Sequence, residues 1–366
     1  MQVDQHDFTK TQMTDLFIKV KIQQEQGLPF VLFCKPDSDK VVGLFQKNDH
    51  LYFLENFEEK GFVFAPFDFE TIPYIPLEHS DVYVDKVRSA DYFFETKPSN
   101  LNSAIGKDFF EDIVAKGIKA IEQNQFLKVV LSRKEAIEIP DFDIQNVMKK
   151  MISYYPSAFN YCFSHPKIGT WIGATPEQFL KTDGNTLHTV ALAGTQLVTN
   201  SATIVWQEKE IKEQQLVTDF IVESLKGLVK EMVISSPDTV KAGNLLHIKT
   251  TISAVLKSKK LLKKVIMALH PTSAVCGLPK QAAKDFILKN EGYNREYYSG
   301  FLGEMNIDLA TFRTLQTDLF VNLRCMKIKQ NSAQLYIGCG ITKDSIPEDE
   351  YWETVNKSMT MKKIIR

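Results

Sequence analysis

Two short runs of strand-forming residues, Gln178 to Thr182 and Thr186 to Ala191, are separated only by Asp183-Gly184-Asn185. A glycine between two turn-forming residues lets the chain reverse within a few positions, and strands joined so tightly run antiparallel. A wholly parallel sheet needs long crossovers instead, so this hairpin already argues against that class. A second reversal, at Gln330-Asn331-Ser332, joins the strand-like runs Ala310 to Lys329 and Ala333 to Ile341. A third is expected at Lys47-Asn48-Asp49-His50, between Val41–Phe45 and Leu51–Leu54. Phe30 to Cys34, Tyr161 to Phe163 and Thr170 to Ala174 also read as strands.

Helical spacing appears between these runs. Phe110, Ile113, Ile118 and Ile121 mark a helix over Phe109–Gln123, and Asp143 to Ser153 reads as another. Val217, Phe220, Ile221, Leu225, Leu228 and Met232 recur at steps of three and four, predicting one long helix over Lys209–Met232. Ser345, Pro347 and Glu348 give the start signals of a last helix, whose Trp352, Val355 and Met359 are expected to face the core. Strands closed by hairpins and mixed with helices make an α+β fold. There is no GxGxxG fingerprint and no Walker loop.

With 366 residues and 44% apolar content the chain can bury one large core or two smaller ones. A formal net charge of −1 gives no electrostatic reason for a nucleic-acid or membrane partner. The basic run Lys257 to Lys264 reads as a solvated helix end or loop. No segment approaches the ~20 apolar residues of a membrane span. The first ten residues lack the pattern of a secretory signal. Cys34, Cys162, Cys276, Cys325 and Cys339 are odd in number and contain no CxxC pair, which disfavours a disulfide frame or a zinc site and fits a reducing cytoplasm. Residues 86–105 are polar and expected to be exposed. The pattern changes at Ser103, dividing an N-terminal part (1–103) from a core (104–366).

The chemistry concentrates around KVVLSR, Lys128 to Arg133. Lys128 opens an apolar strand. Such a lysine can be an edge gatekeeper, or an amine desolvated enough to work as a base. Glu177 follows Pro176 directly after a strand, where a turn can aim a side chain off a sheet end. Glu210 and Glu213 lie three apart on the long helix, and Glu213 continues its apolar stripe. Glu350 and Glu353 repeat that spacing on the last helix, with Lys357 one turn further. These acids read either as ordinary helix-face charge or, if the two helices converge, as an oxygen-rich Mg²⁺ site. Arg324 sits in VNLRCMKI, a run read as one apolar strand. A guanidinium there wants a planar anion, either a bound carboxylate or a protein one. ALAGT (Ala191–Thr195) and IGCGI (Ile337–Ile341) place glycines where a backbone can approach a ligand closely. His270, before Pro271, reads as a turn histidine or as part of a site. The helix expected near Lys280 would favour an anion at its start.

Ten segments carry a resemblance: KVVLSR, GATPEQF, ALAGT, KEIKEQQLV, LLHIKTTI, LHPTSAVCGLPKQAA, NREYYSGFLGEMN, LRCMKI, LYIGCGI and EDEYWETVNK. In this order they resemble the chorismate-utilising enzymes, a family that includes isochorismate, salicylate, anthranilate and aminodeoxychorismate synthases. The likeness runs from about residue 104 to the C-terminus. It implies one large domain of two stacked antiparallel sheets flanked by helices, with the first hundred residues a variable part of the same fold. Amine-transferring anthranilate synthases carry Gln where Lys128 stands, and aminodeoxychorismate synthases carry a covalent Lys where this chain has Ala193. The pair found here resembles the isochorismate and salicylate branches.

That resemblance implies roles. Lys128 would deprotonate water for attack at C2 of chorismate, and Glu177 would protonate the departing C4 hydroxyl. Glu213 and Glu353 would hold Mg²⁺, with Glu210 and Glu350 supporting them. Gly194, Thr195, His270, Arg324, Gly338 and Lys357 would contact substrate. No glutaminase subunit is implied, and the family suggests a monomer. The chain departs from the family at Gln214, where a histidine is usual, and at Glu210, where an aspartate is usual.

Overall fold

The computed structural model describes residues 13–86, 106–197, 204–242 and 245–365. Two antiparallel sheets carry the fold. Among the described residues the first has nine strands, in spatial order Gly277–Leu278, Lys128–Glu138, Ser332–Ile341, Cys325–Lys329, Gly169–Thr175, Phe159–His165, Phe30–Cys34, Lys40–Gln46 and Ser80–Lys86. The second has ten. Its main path runs Val229–Ile234, Leu245–Leu256, Thr186–Leu197, Gln178–Asp183, Gln316–Val321, Phe301–Met305, Gly61–Ala65, Pro73–Pro76 and Tyr52–Phe53, and Asp238–Ala242 pairs beside Leu245–Leu256. Strands from the first 86 residues are thus built into both sheets.

The side-chain alternation of strands explains the layering. Phe30, Leu32 and Cys34 point to one side, against helices Met13–Glu25 and Ile144–Tyr154, while Val31 and Phe33 point to the other sheet. Phe62 and Phe64 meet them from the second sheet, and Val63 and Ala65 turn away into a core covered by helices Glu208–Leu225 and Leu262–Leu269. Aromatic rings fill the space between the sheets: Phe33 packs on Phe62 at 5.3 Å and Phe159 on Phe320 at 4.4 Å between centroids. Helices Lys107–Glu122 and Pro347–Ile365 cover the outer face of the Lys128 strand.

The hairpin about Asp183-Gly184-Asn185 forms, with Asp183 paired to Thr186 and Gly184 at φ +60°. The one about Gln330-Asn331-Ser332 forms as well. The expected hairpin at Lys47–His50 does not. Lys40–Gln46 pairs within the first sheet and Tyr52–Phe53 within the second, so the chain changes sheets there. The Gln46 side-chain amide holds that passage by donating to the carbonyls of Asn48 (2.8 Å) and His50 (2.7 Å).

The long helix stops at Leu225, because Gly227 takes a left-handed φ of +80° and Val229–Ile234 then joins a sheet edge. The run Ala310–Lys329 is not one strand either. Gln316–Val321 belongs to the second sheet and Cys325–Lys329 to the first. On the last helix Trp352 is exposed, lying beside the Lys107 ammonium, and Tyr351, Thr354, Ser358 and Met361 form the buried face. Ser345 stands just before that helix, but its hydroxyl accepts from the Thr342 N–H. Residues 87–105, expected to be exposed, lie outside the described residues. Among the described residues no helix is long and apolar enough to cross a membrane.

Candidate active site

Two passages between the sheets lie side by side. Glu177 occupies one, between Gly169–Thr175 of the first sheet and Gln178–Asp183 of the second. Arg324 occupies the other, between Gln316–Val321 and Cys325–Lys329. It is not inside a strand, and its φ of +48° marks the bend. The passages are laced together by backbone and hydroxyl groups. Val321 N donates to the Glu177 carbonyl at 2.9 Å, Ala174 N to the Arg324 carbonyl at 3.1 Å, and Thr175 Oγ1 to the Val321 carbonyl at 2.6 Å.

Burial pushes the Glu177 carboxyl up to about 7, against the opposing pull of Lys128, Lys357 and Arg324. Three cations from three separate elements therefore act on a carboxyl whose burial favours the protonated form. That is the state a proton donor requires. Burial holds Arg324 below its ordinary range, with Tyr298, Glu353, Tyr155 and Glu177 opposing. Its Nη1 donates to the Lys357 carbonyl at 3.2 Å.

Lys128 is buried at the first position of its strand, which lies between Gly277–Leu278 and Ser332–Ile341. A methyl group at Gly340 on the neighbouring strand would stand 3.0 Å from Lys128 Cε, so glycine there leaves room for the lysine side chain. Lys128 Nζ donates to Glu213 Oε1 at 2.5 Å. Val130 and Ser132, further along the same strand, are held by a buried ion pair. Arg295 bonds Glu291 and donates to the Val130 carbonyl at 2.6 Å, while Glu291 accepts from the Ser132 N–H at 2.7 Å.

The last helix supplies a second lysine–carboxylate pair. Lys357 Nζ lies 2.5 Å from Glu353 Oε1 and donates to the Gly338 carbonyl at 3.2 Å. Gly338 tolerates no side chain, since a Cβ would fall 2.8 Å from the Leu131 carbonyl oxygen. Gly194 forms a bulge at φ +71°, with Thr195 next along the strand, and a Cβ there would press on Glu210 at 3.2 Å.

The Gly194 carbonyl faces His247 Nδ1 at 3.1 Å. His247 is a residue to which the sequence reading assigns no role. Burial lowers its pKa, the Gly194 bond opposes this, and Lys357, Arg324 and Glu213 all act on it. It therefore shares the space of the charged cluster. Its signal in the sequence is a histidine between Leu246 and Ile248 in the strand LLHIKTTI.

Glu210 Oε2 and Glu350 Oε2 are buried with no hydrogen-bond partner among the described residues. Burial raises the Glu350 pKa, opposed first by a bond from Ser345. Buried carboxylate oxygens without partners are costly unless a cation completes them. No group of three or more His, Cys, Asp or Glu stands at metal-holding spacing among the described residues. Mg²⁺ asks for less, since one or two carboxylates with water and substrate oxygens are its usual set. The donors present are of the right chemistry.

His270 does not join this cluster. Its ring packs on Phe69 at 5.1 Å and Phe301 at 5.2 Å, its Nε2 faces the Phe67 carbonyl at 3.0 Å, and burial lowers its pKa to about 3. It is a neutral core histidine. Lys280 fills the helix start where an anion was expected, and its Nζ donates to the Ala268 and His270 carbonyls at the end of the preceding helix. Gln214 seats the helix that carries Glu213, donating to Thr218 Oγ1 (2.9 Å) and Thr250 Oγ1 (2.8 Å).

Residues 79–366 match the family of chorismate binding enzymes. This chain belongs to that family. Among curated chorismate binding enzymes it is similar to the isochorismate synthase MenF of Pasteurella multocida, 29% identical over 69% of this chain and 60% of that protein. It is similar also to the isochorismate synthase EntC of Escherichia coli K12, 29% identical over 79% of this chain and 78% of that protein. The chain thus spans less than two thirds of the first relative's length. In fold it resembles the menaquinone-specific isochorismate synthase MenF of Escherichia coli, with a TM-score of 0.75 at 19% identity over 92% of this chain and 89% of that one.

Proposed function

We propose that this chain is an isochorismate synthase, a Mg²⁺-dependent isomerase that adds water at C2 of chorismate and expels the C4 hydroxyl. The observation that carries the reading is the electrostatic influence of one buried amine on one protonatable carboxyl. Lys128 acts on Glu177, whose carboxyl is held at about 7. An amine-transferring relative would need no such base, because ammonia is already a nucleophile.

In this reading Lys128 takes a proton from the attacking water and Glu177 gives one to the leaving oxygen. Arg324 and Lys357 bind the substrate carboxylates, with the Gly338 and Gly194–Thr195 backbones against the substrate. Glu213 and Glu353 would hold Mg²⁺, supported by Glu210 and Glu350. A bound Mg²⁺ would supply positive charge beside a substrate carboxylate. His247, between Gly194 and the charged groups, orders the wall of the site. The product would feed menaquinone or catecholate-siderophore synthesis in the cytoplasm. The enzyme would act without a glutaminase subunit, as a monomer.

The test is incubation of the purified protein with chorismate and Mg²⁺, with products separated chromatographically. Isochorismate as the product supports the reading. Salicylate with pyruvate would make the protein a salicylate synthase, and anthranilate formed with ammonium would overturn the assignment of Lys128.

A further inference from the structure

Glu177 lines a small cavity of about 10 Å³. One wall is Glu177 to Phe179, another is Val217 and Ile221, and Thr272 and Ser273 close it. The space matches a single water molecule, whose share of a cavity is roughly 10–15 Å³ by the same measure. Apolar cavities of this size stay dry, whereas a water needs two or more polar partners. Here they exist. Ser273 is 1% exposed, and both Ser273 Oγ and Thr272 Oγ1 are buried with no hydrogen-bond partner among the described residues. The other hydroxyl on the wall, Thr189 Oγ1, already donates to the Phe179 carbonyl at 2.8 Å. The Thr272–Cys276 turn is fixed by its own backbone, with Val275 N and Cys276 N both donating to the Thr272 carbonyl.

We propose that Ser273 and Thr272 hold one buried water against the Glu177 carboxyl, and that this water is a positioning element for the acid. The inference rests on the reading of Glu177 as proton donor. A water held by two hydroxyls can accept from the protonated carboxyl or donate to the ionised one. It fixes which oxygen of Glu177 carries the proton that leaves, and it stays bonded through both states. Ser273 and Thr272 touch no reacting atom in this scheme; they act through the water.

The test uses the whole protein and the variants Ser273→Ala, Thr272→Val and their combination. The protonated Glu177 carboxyl is identified by infrared difference spectroscopy as the C=O band lost in Glu177→Gln. In the double variant that band is expected to move to higher frequency, as one hydrogen bond to it is lost. For chorismate, kcat should fall about tenfold while KM stays nearly constant, the size of one lost hydrogen bond. An unmoved band in a folded double variant overturns the proposal. So does a crystal structure of the unaltered protein with no water within hydrogen-bonding distance of Ser273 Oγ. If the band moves but the unaltered protein does not convert chorismate, the water stands and the functional reading falls.

Discussion

Lys128 Nζ and Glu213 Oε1 are 2.5 Å apart, joining the first residue of a sheet strand to the second turn of a helix 85 positions later in the chain. The residue assigned as base and a residue assigned to the cation site are therefore hydrogen-bonded to each other. Lys357 and Glu353 repeat the arrangement at 2.5 Å on the last helix. Each carboxylate is offered both to a lysine and to any cation in the site, so a bound cation would compete with the lysine for the same oxygens.

Replacing Lys128 with Gln keeps a hydrogen-bond donor toward Glu213 and removes the proposed base. Formation of isochorismate should drop by ~10²–10⁴-fold, with an unchanged circular dichroism spectrum. Substantial water addition by this variant would show that another group deprotonates the nucleophile.

In its proposed role Glu177 must carry a proton. Burial pushes its carboxyl up to about 7, so kcat/KM should fall as pH rises through that value. Lys128, Lys357 and Arg324 face this carboxyl and would keep the descent close to neutrality. The same raised value makes folding less favourable as pH climbs from 4.5, its ordinary value, to about 7, because the unfolded chain releases this proton first. A pH–rate profile without an alkaline descent would remove Glu177 from the role of acid.

Glu353→Gln and Glu213→Gln each delete one charge that the proposed cation would meet. Either should raise the Mg²⁺ concentration needed for half-maximal activity by tenfold or more, on the order of a perturbed ligand set. Titration of chelator-treated protein by calorimetry gives the same answer without turnover. An unaltered Mg²⁺ titration would take that carboxylate out of the cation site.

Gly340→Ala adds one methyl group 3.0 Å from Lys128 Cε. The lysine stem must shift by a few tenths of an ångström, and activity should fall while the denaturation midpoint moves little. By contrast Arg295→Met leaves Glu291 buried and unpaired, and should cost about 3–5 kcal/mol in urea unfolding. Equal stabilities for these two variants would contradict the distinction between a site contact and a structural ion pair.

Much of this was legible in the sequence, and the exceptions have physical causes. The Asp183–Asn185 hairpin, the Lys128 strand and the helix after Asp143 follow local rules of turn, alternation and capping, and they form. The passages between sheets do not obey local rules. Val41 to Leu54 and Ala310 to Lys329 look continuous because both sheets ask for the same apolar alternation, and only tertiary packing assigns each half to its sheet. Arg324 reads as a strand residue for that reason, whereas in the fold it sits at a left-handed bend between the two sheets. The acids at Glu213 and Glu353 were visible as helix-face pairs, while their engagement with Lys128 and Lys357 depends on distant segments meeting. His270 illustrates the opposite case. Motif position places it with the site residues, while in the fold aromatic rings pack around it. His247 went unassigned because its importance lies in the bulge at Gly194, which pairing alone reveals.

The neighbours of the Lys128 strand, Gly277–Leu278 and Ser332–Ile341, come much later in the chain. A ribosome extending at ~5–20 residues per second takes on the order of ten to forty seconds to make the roughly two hundred residues between Lys128 and its longer neighbour. Through that interval an apolar segment waits with its longer edge open, a template for pairing with other nascent chains. Yield of active protein should therefore depend on translation speed and chaperone supply more than on the equilibrium stability of the finished enzyme.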